Sequence, residues 1–525
     1  MPRKNSDAST VTAQTRLVIN QDQNHILFLL AGLFGRTERS LFADIMRGKS
    51  AHECKSAYLK HFGITARHFN SIRVQVEGKI SSVKECQKNV LQNLENQISS
   101  LERYLKKKGS KLSSKVIHQK KRRLATLKAR HNRLMQAIDL NKISLCFGSR
   151  TLFRSQFHLK DNGYKSHEKW NQDWKASRAN TIFLLGSKDE TSGNQSATAL
   201  VQEDGRISLR IRLPDALREH GKYLVVKDIY FSYHHDLIIS ALTSKSPVAI
   251  SYRFLCDKKG WRVMASLPVQ NPPIVTKRGM GVIGIDINAN HLAVVETDRF
   301  GNPTRHARLD LDTYGKSQNQ AKALMGDVAK LVVDWAVEAQ KPIAIEGLCF
   351  AKKKAELREM GNPRYARMLS SFAYNGIGKF IRSRATRYGV EVSEVNPAYT
   401  SIIGRVKFSK RYGLSTHGSA ALCIGRRLLG CSERLPRRLD SIADGKGGYV
   451  AILLPVRNRS VHVWSLWRQV QKKLPAAFAA HVRAKKIDPG GREQSFPLCD
   501  TKKVLDVVGG IPARESTATL LGCRI

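Results

Sequence analysis

The stretch GVIGIDINANHLAVVETDRFGNP, residues 281–303, decides the fold of the second half of the chain. Two apolar runs with the composition of strands flank a short polar turn, which is typical of a β-hairpin. In the first run Asp286 points to the face opposite Ile285 and Ile287, and Gly284 leaves room beside it. A helical pattern and a further apolar strand follow, so the sequence predicts a mixed sheet flanked by helices.

A second carboxylate, Glu346, closes the apolar strand IAIE sixty residues later. Burying ionised carboxylates together costs several kcal/mol unless cations neutralise them. Two strand acids therefore suggest a site for Mg²⁺, or Mn²⁺, that clamps a phosphodiester and activates water. The alternative is that Asp286 and Glu346 are strand-end residues, either solvated or paired with Lys or Arg.

The charge of the chain predicts a polyanionic partner. Its 525 residues carry 89 Lys and Arg against 43 Asp and Glu, a net charge of +46 spread along the whole sequence. Nucleic acid is the first candidate, and this length predicts two to four domains. We expect no membrane association, because no apolar run reaches about 18 residues and no signal core is visible. Nine cysteines without a C-x-x-C pair predict no zinc and no disulfide framework.

The first half of the chain divides into a helical and a strand-rich part. Residues 22–140 repeat apolar residues at helical spacing and predict a helical hairpin, while residues 141–278 form short alternating runs typical of a β-barrel or sandwich. The basic cluster Lys120, Lys121, Arg122 and Arg123 favours phosphate contact over a merely solvated face. In YHHDL, a strand would send His234 and His235 to opposite faces, which argues against a shared metal.

Four segments resemble a known family, the RuvC-type nuclease core of transposon-encoded TnpB proteins and their relatives, the compact type V CRISPR effectors. They are GIDINANHLAVVETDRFGNP, IAIEGLCFAKKK, the run from FAYNG to GRVKF, and LSTHGSAALCIGRRLLG, in this order. The resemblance is specific over about residues 281–430 and holds only in order and character over residues 1–280.

The resemblance implies a multidomain α+β protein with an RNase H-like fold in its nuclease domain. The domains would be an N-terminal segment (1–21) joining a β-barrel-like wedge domain, a helical recognition lobe (22–140), the wedge domain itself (141–278) and a RuvC-like nuclease domain (279–440). The basic segment 441–525 is unassigned. The resemblance also implies two partners, a guide RNA and a target double-stranded DNA, in the cytoplasm of a prokaryotic cell near the nucleoid. The oligomeric state is not predicted.

Asp286 and Glu346 match the family's first catalytic aspartate and its catalytic glutamate. At the third position His417 replaces the family's aspartate, which predicts weak Mg²⁺ use, a shift toward Mn²⁺, or inactivity. A histidine there could bind metal or orient the nucleophilic water, or it could be a helix N-terminal residue with no catalytic part. The zinc ribbon that many members carry before this motif is absent.

Further basic and hydroxyl residues near these motifs are candidates for nucleic-acid contact, with a plain turn or a solvated surface as the alternative. They are Lys352, Lys353, Lys354, Tyr399, Thr400, Arg426 and Arg427.

Three functions remain open on the sequence. The first is an RNA-guided DNA endonuclease that hydrolyses phosphodiesters with two metal ions. The second is an RNA-guided DNA-binding protein without cleavage, a repressor or targeting subunit. The third is a transposase or resolvase of RNase H fold that works without RNA. Copurification of one recurring RNA separates the third from the others.

Overall fold

The computed structural model describes residues 8–244, 248–347, 372–431, 433, 441–443, 449–451 and 455–487. They fall into two compact units, one formed by the described residues up to Asn271 and one by those from Pro272 onward. Both units combine helices with sheets, so the predicted mixed helical and sheet class is confirmed. Among the described residues, no helix is both long enough and apolar enough to cross a bilayer.

The elements of the first unit alternate between helical and strand-rich stretches. Its helices are α1 (Gln21–Met46), α2 (Ala51–Phe62), α3 (Ala66–Lys108), α4 (Ser114–Asp139), α5 (Arg150–Ser155), α6 (His167–Ser177) and α7 (His235–Thr243). Its strands are β1 (Ala8–Arg16), β2 (Thr181–Leu184), β3 (Ala197–Val201), β4 (Ile207–Arg212), β5 (Tyr223–Ile229), β6 (Ser251–Asp257) and β7 (Gly260–Gln270).

The predicted helical hairpin is confirmed as α3 and α4. Their apolar stripes meet around Leu94, Leu101 and Leu127, which are all buried. The chain enters α3 through Thr65, whose hydroxyl accepts from the backbone N–H of His68. Such N-terminal caps satisfy donors that have no partner within the helix.

Two sheets of the first unit share one hydrophobic core with α1, α2 and α3. The orders are β1-β7-β6-β2 and β3-β4-β5, and all pairs are antiparallel. The N-terminal strand β1 lies along β7, from Ala8 opposite Gln270 to Arg16 opposite Arg262. Phe254 and Trp261 are among the largest fully buried side chains of this core.

The strand reading of YHHDL is wrong. β5 ends at Ile229, His234 adopts a left-handed backbone conformation (φ 63°), and α7 begins at His235. The Nδ1 of the buried His235 ring accepts from the backbone N–H of Phe231 in this turn, and its Nε2 lies 2.9 Å from the carbonyl oxygen of Gly205 in the turn between β3 and β4. The two imidazoles are separated by a helix start rather than by strand alternation.

The second unit contains strands β8 (Ile283–Ile287), β9 (His291–Thr297), β10 (Pro303–Asp310), β11 (Ile343–Glu346), β12 (Val392–Val395), β13 (Ser441–Ala443) and β14 (Tyr449–Ala451). Its helices are α8 (Gln318–Ala339), α9 (Phe372–Arg387), α10 (Thr400–Gly404), α11 (Lys410–Tyr412), α12 (Thr416–Leu428) and α13 (Val463–Ile487). A π-helical turn over Arg405–Ser409 joins α10 to α11. A π-turn keeps the backbone helical with wider i→i+5 hydrogen bonds, which changes which side chains face the core.

Five strands form one mixed sheet in the order β10-β9-β8-β11-β12. β8, β9 and β10 form an antiparallel meander, whereas β11 runs parallel to β8, and β12 runs parallel to β11. Parallel neighbours require crossovers, which α8 provides between β10 and β11, and α9 before β12. The predicted mixed sheet flanked by helices is therefore confirmed.

The two faces of this sheet differ in character. Ile283, Ile285, Ile343 and Ile345 point to one face, where they pack with α8 and α9 in one core cluster. The opposite face of β8 carries Gly284 and Asp286, and α12 covers Gly284.

The described residues between 441 and 487 belong to the second unit. In α13 the buried residues Trp467, Val470 and Leu474 join a cluster with Ala421 of α12 and Val406 of the π-turn. The segment that the sequence left unassigned thus contributes to this core through α13.

Candidate functional site

The absence of a side chain at Gly284 brings α12 against the sheet. A Cβ at this position would lie 2.0 Å from the carbonyl oxygen of Ala421 and 2.6 Å from the backbone nitrogen of Gly425. Only glycine permits this backbone approach. The approach places the N-terminal turn of α12, which contains His417, beside the end of β8.

Asp286 and Glu346 lie at equal register near the carboxyl ends of two adjacent parallel strands. β8 and β11 pair Ile283 with Ile343 and Ile285 with Ile345, and the two acids each follow the last pair. Successive strand residues alternate between faces, so both acids project from the face opposite the isoleucines. Asp286 is 8% exposed, and Glu346 is half-buried. The sheet therefore presents two carboxylates at one end of one face.

Two polar side chains contact Asp286. Its Oδ2 accepts a hydrogen bond from Asn288 Nδ2 at 2.9 Å and lies 3.0 Å from His417 Nδ1. Because an ionised carboxylate only accepts, this contact requires a hydrogen on Nδ1. Nε2 of a neutral His417 is then left as an acceptor, on a side chain that is 48% exposed.

A second imidazole, His291, lies edge to face with His417, with 5.0 Å between ring centroids. Its Nε2 is 3.4 Å from Asn288 Nδ2, and its Nδ1 is 2.9 Å from Asn290 Oδ1. Burial lowers the pKa of His291, and the charges of Arg308 and His417 lower it further, so this ring is neutral at neutral pH.

Glu346 interacts with the turn after β12. The Thr400 hydroxyl donates to Glu346 Oε1, and Thr400 is buried. Tyr399, just before it, has a left-handed backbone (φ 62°) at the start of α10. Thr400 was predicted to contact nucleic acid; the structure places its hydroxyl on the second carboxylate, and a phosphate contact stays a prediction.

The donor set at this end of the sheet suits a hard divalent cation in part. Within the described residues, no group of three or more His, Cys, Asp and Glu side chains is arranged to hold a metal ion. Mg²⁺ keeps several waters and is commonly bound through one or two carboxylates. Asp286 and Glu346 therefore fit such an ion, whereas Nδ1 of His417 is directed at Asp286 and is not offered as a ligand.

The two arginines predicted to neutralise a substrate backbone contact protein groups. Arg426 Nε lies 2.7 Å from Glu433 Oε1, and its Nη1 donates to the carbonyl oxygen of Gly301 at 2.8 Å. Arg427 Nη2 donates to the carbonyl oxygen of Ala398 at 3.0 Å, which holds the turn before Thr400. Their binding to nucleic acid stays a prediction.

The basic cluster of α4 is divided by exposure. Lys121 and Arg122 are exposed, whereas Lys120 and Arg123 are half-buried, and Lys120 Nζ lies 4.4 Å from the ring centroid of Tyr104. Lys352, Lys353 and Lys354 lie outside the described residues. The sequence brought Asp286, Glu346 and His417 together as candidates; the structure pairs Asp286 with His417 and places Glu346 on the neighbouring strand.

Asn288 and His291 were missed by the sequence reasoning. Asn288 begins the turn between β8 and β9 and His291 begins β9, and the backbone N–H of Asn288 donates to the carbonyl oxygen of His291 at 2.9 Å. A tight hairpin folds polar turn residues back toward the strand end that precedes them. The sequence DINANH therefore carried the signal, since its polar residues follow Asp286 at once.

The chain matches no protein-family model and no curated protein. Among solved structures it is similar to one described as "Cryo-EM structure of the Cas12f1-sgRNA-target DNA complex", with 12% identity over 79% of this chain and 99% of that chain and a TM-score of 0.21. Another is described as "Cryo-EM structure of CRISPR-Cas12f Ternary Complex", with 13% identity over 79% of this chain and 98% of that chain and a TM-score of 0.19. At TM-scores this low, the likeness carries no conclusion about this chain.

Proposed function

We propose that this protein is an RNA-guided DNA endonuclease whose second unit is an RNase H-like nuclease of the RuvC type. The observation that carries the proposal is the placement of Asp286 and Glu346 directly after the last registered pair of two adjacent parallel strands, on a face that Gly284 opens to α12. The sheet order, an antiparallel meander followed by two parallel strands, supports an RNase H-like core. The net charge of +46 supports long nucleic-acid channels.

The guide RNA and its origin in a mobile element rest on the motif resemblance, which covers residues 281–430 in order. In such a division of labour, base pairing reads the sequence and the protein reads a short flanking motif. The helical hairpin α3–α4 of the first unit offers Lys121 and Arg122 as exposed cations for an RNA or DNA backbone.

Each residue of the site has a separate task in this proposal. Asp286 and Glu346 would hold Mg²⁺ or Mn²⁺, which would polarise the phosphodiester and make a bound water more acidic. Asn288 fixes Asp286 through its amide hydrogen bond. His417, oriented by Nδ1 toward Asp286, uses Nε2 to accept a proton from the attacking water.

The deciding experiment is cleavage of a duplex that matches the copurified RNA and carries a library of flanking sequences. The reaction is run in Mg²⁺ and separately in Mn²⁺, with Asp286→Ala and Glu346→Ala beside the parent. The matched control is Asp310→Ala, because Asp310 is an exposed acid on the edge strand β10 of the same sheet. Cutting by the parent and the control alone supports the proposal, and equal cutting by all variants refutes the site.

One observation favours a second candidate, a guided DNA-binding protein without cleavage. His417 already pairs with Asp286, and a protonated imidazole would neutralise this carboxylate without any metal. Bound but uncut duplex in both metals, with RNA of one recurring sequence, would establish this alternative. A chain that binds DNA without RNA would instead indicate a transposase or resolvase.

A further inference from the structure

An exposed tryptophan contacts the turn from which Thr400 donates a hydrogen bond to Glu346. Trp464, in the first turn of α13, is 40% exposed, although Trp467 one turn later is 1% exposed and lies in the core. Burial of Leu466, Trp467 and Val470 fixes α13 on the sheet, so the indole of Trp464 is held on a rigid element. An indole left in water at a fixed place is a ready surface for an apolar planar group.

Two edge-to-face contacts set the orientation of this indole. The Tyr399 ring lies 6.3 Å from it at an interplanar angle of 65°, and the His462 ring lies 5.2 Å from it at 89°. The His462 ring also accepts, through Nδ1, a hydrogen bond from the backbone N–H of Trp464 at 3.2 Å. Both ring contacts hold the indole in place, and 40% of the residue still faces solvent.

The turn that carries Tyr399 is tied to the site on both sides. Thr400 donates to Glu346, and Arg427 donates to the carbonyl oxygen of Ala398 at 3.0 Å. Tyr399 itself holds a left-handed backbone conformation, which is strained for a residue with a Cβ. This strained residue is the one whose ring contacts Trp464, directly before the Thr400 that donates to Glu346.

The charges around Trp464 complement a nucleic-acid strand. Residues 455–473 contain no Asp or Glu. They carry the cations Arg457, Arg459, Arg468, Lys472 and Lys473, which are all exposed. Aromatic side chains for stacking, interleaved with cations for the backbone, are the pattern by which proteins bind single strands.

We propose that Trp464 stacks on an unpaired nucleobase of the substrate strand and so positions that strand at Glu346. The inference rests on the proposed function and deepens it, because it assigns a single strand, rather than an intact duplex, to this end of the site. Trp464 binds and positions the strand, and the Asp286–Glu346 face carries out the chemistry.

The first test uses single-stranded oligonucleotides with one abasic position stepped along the strand, and the variants Trp464→Ala and Trp464→Phe. Stacking predicts that Trp464→Ala raises KM about tenfold with little change in kcat, and that Trp464→Phe retains most of the affinity. Removing the base at one position should raise the KM of the parent to the same extent. The same abasic oligonucleotide should leave the KM of Trp464→Ala unchanged. Tyr314→Ala is the matched control, because Tyr314 is an aromatic residue of the same unit that is 94% exposed.

The second test measures binding alone, so that a failure of the proposed function stays distinguishable. Dissociation constants are determined for the same oligonucleotides with Asp286→Ala and with Asp286→Ala combined with Trp464→Ala. A Trp464 effect confined to one base position supports stacking, whether or not the parent cuts. The inference is overturned if the two variants bind every oligonucleotide with equal affinity. It is also overturned if Trp464→Ala weakens binding by the same factor wherever the abasic position lies.

Discussion

At the scale of single residues, the contact between His417 and Asp286 explains how a histidine can occupy a position where the resemblance expects an acid. The imidazole donates through Nδ1 to Asp286 Oδ2 at 3.0 Å, so the aspartate that would repel a second carboxylate instead has a hydrogen-bond donor. Two acids, rather than three, then remain for a cation. The site therefore has one carboxylate fewer, and in its place an imidazole that Asp286 holds in one orientation.

Replacing the histidine by an aspartate should restore the third carboxylate and remove the oriented imidazole. In His417→Asp, a third carboxylate would lie beside Asp286, so we expect Mg²⁺ to bind more tightly, while cleavage falls by about a hundredfold or more because the imidazole that accepts the proton of the attacking water is lost. Without metal, repulsion between the carboxylates should lower Tm by about 2–4 °C for each kcal/mol of unfolding free energy that is lost. Added Mg²⁺ should restore the Tm. Thermal unfolding with and without Mg²⁺ therefore reads out the site independently of cleavage.

His417→Asn is the matched control, since an amide adds no charge and can still donate to Asp286. A Tm of His417→Asp that does not respond to Mg²⁺ would show that no cation binds between these carboxylates. Loss of cleavage in both variants would show that the imidazole itself is required.

A buried histidine in the first unit makes stability depend on pH. His68 is 0% exposed, neither ring nitrogen has a hydrogen-bond partner of normal geometry, and Phe34 lies edge to face with it. Burial lowers the pKa of His68 to about 4, an effect that the backbone of Arg212 offsets only in part. The unfolded chain, with an ordinary histidine pKa near 6.5, binds the proton more readily, so stability falls as pH drops from 6.5 toward 4.

We expect His68→Leu to remove this dependence. Between pH 7.5 and pH 5 the parent should lose about 2 kcal/mol more of its unfolding free energy than the variant does. Urea unfolding of the first-unit transition at both pH values measures this difference. His118→Leu, at an exposed position of α4, should follow the parent, and a parallel loss in His68→Leu would contradict the assignment.

At the scale of elements, the close approach of α12 to β8 depends on Gly284. Gly284→Ala places a methyl group 2.0 Å from the carbonyl oxygen of Ala421, a backbone atom that cannot move without α12. We expect a loss of about 3 kcal/mol or more in unfolding free energy. The rate of cleavage should fall by more than the loss of folded protein explains, because a displaced α12 carries His417 away from Asp286.

The control is Gly326→Ala in α8, where an added Cβ would meet nothing within 4 Å. This substitution should stabilise the helix by up to about 1 kcal/mol. Urea unfolding compares the two variants directly. If Gly284→Ala were as stable as the parent, the packing of α12 on this face of the sheet would be wrong.

Elements were predictable from the sequence where periodicity was long or unmixed. The apolar stripes of α3 and α4 and the strand VIGIDI were predicted correctly because the period of the apolar residues fixes which side of each element faces the core. The helix α7 was missed, because YHHDL is too short to show a period and depends on the turn after β5. Asn288 was missed, and Thr400 was assigned to nucleic acid rather than to Glu346, for a different reason: both become neighbours of the acids only after the turns fold.

At the scale of the whole molecule, the excess of 46 positive charges sets how any nucleic acid binds. Each phosphate that a cation neutralises releases counterions, so the logarithm of affinity falls linearly with the logarithm of salt concentration. The exposed pair Lys121 and Arg122 lies on the α4 face of the hairpin, next to cations that the protein partly buries. These two residues should account for discrete phosphate contacts.

We expect Lys121→Ala combined with Arg122→Ala to reduce the magnitude of this salt slope by about 2 for guide RNA, with Tm unchanged. The matched control is Lys258→Ala combined with Lys259→Ala, which removes the same charge from an exposed turn between β6 and β7. If only the α4 pair changes the slope, the cations make local contacts with phosphates. If both pairs change it equally, the general field of the basic chain attracts the RNA, and α4 is no specific part of its path. The slope separates these cases because it counts the ions released, whereas a single dissociation constant does not.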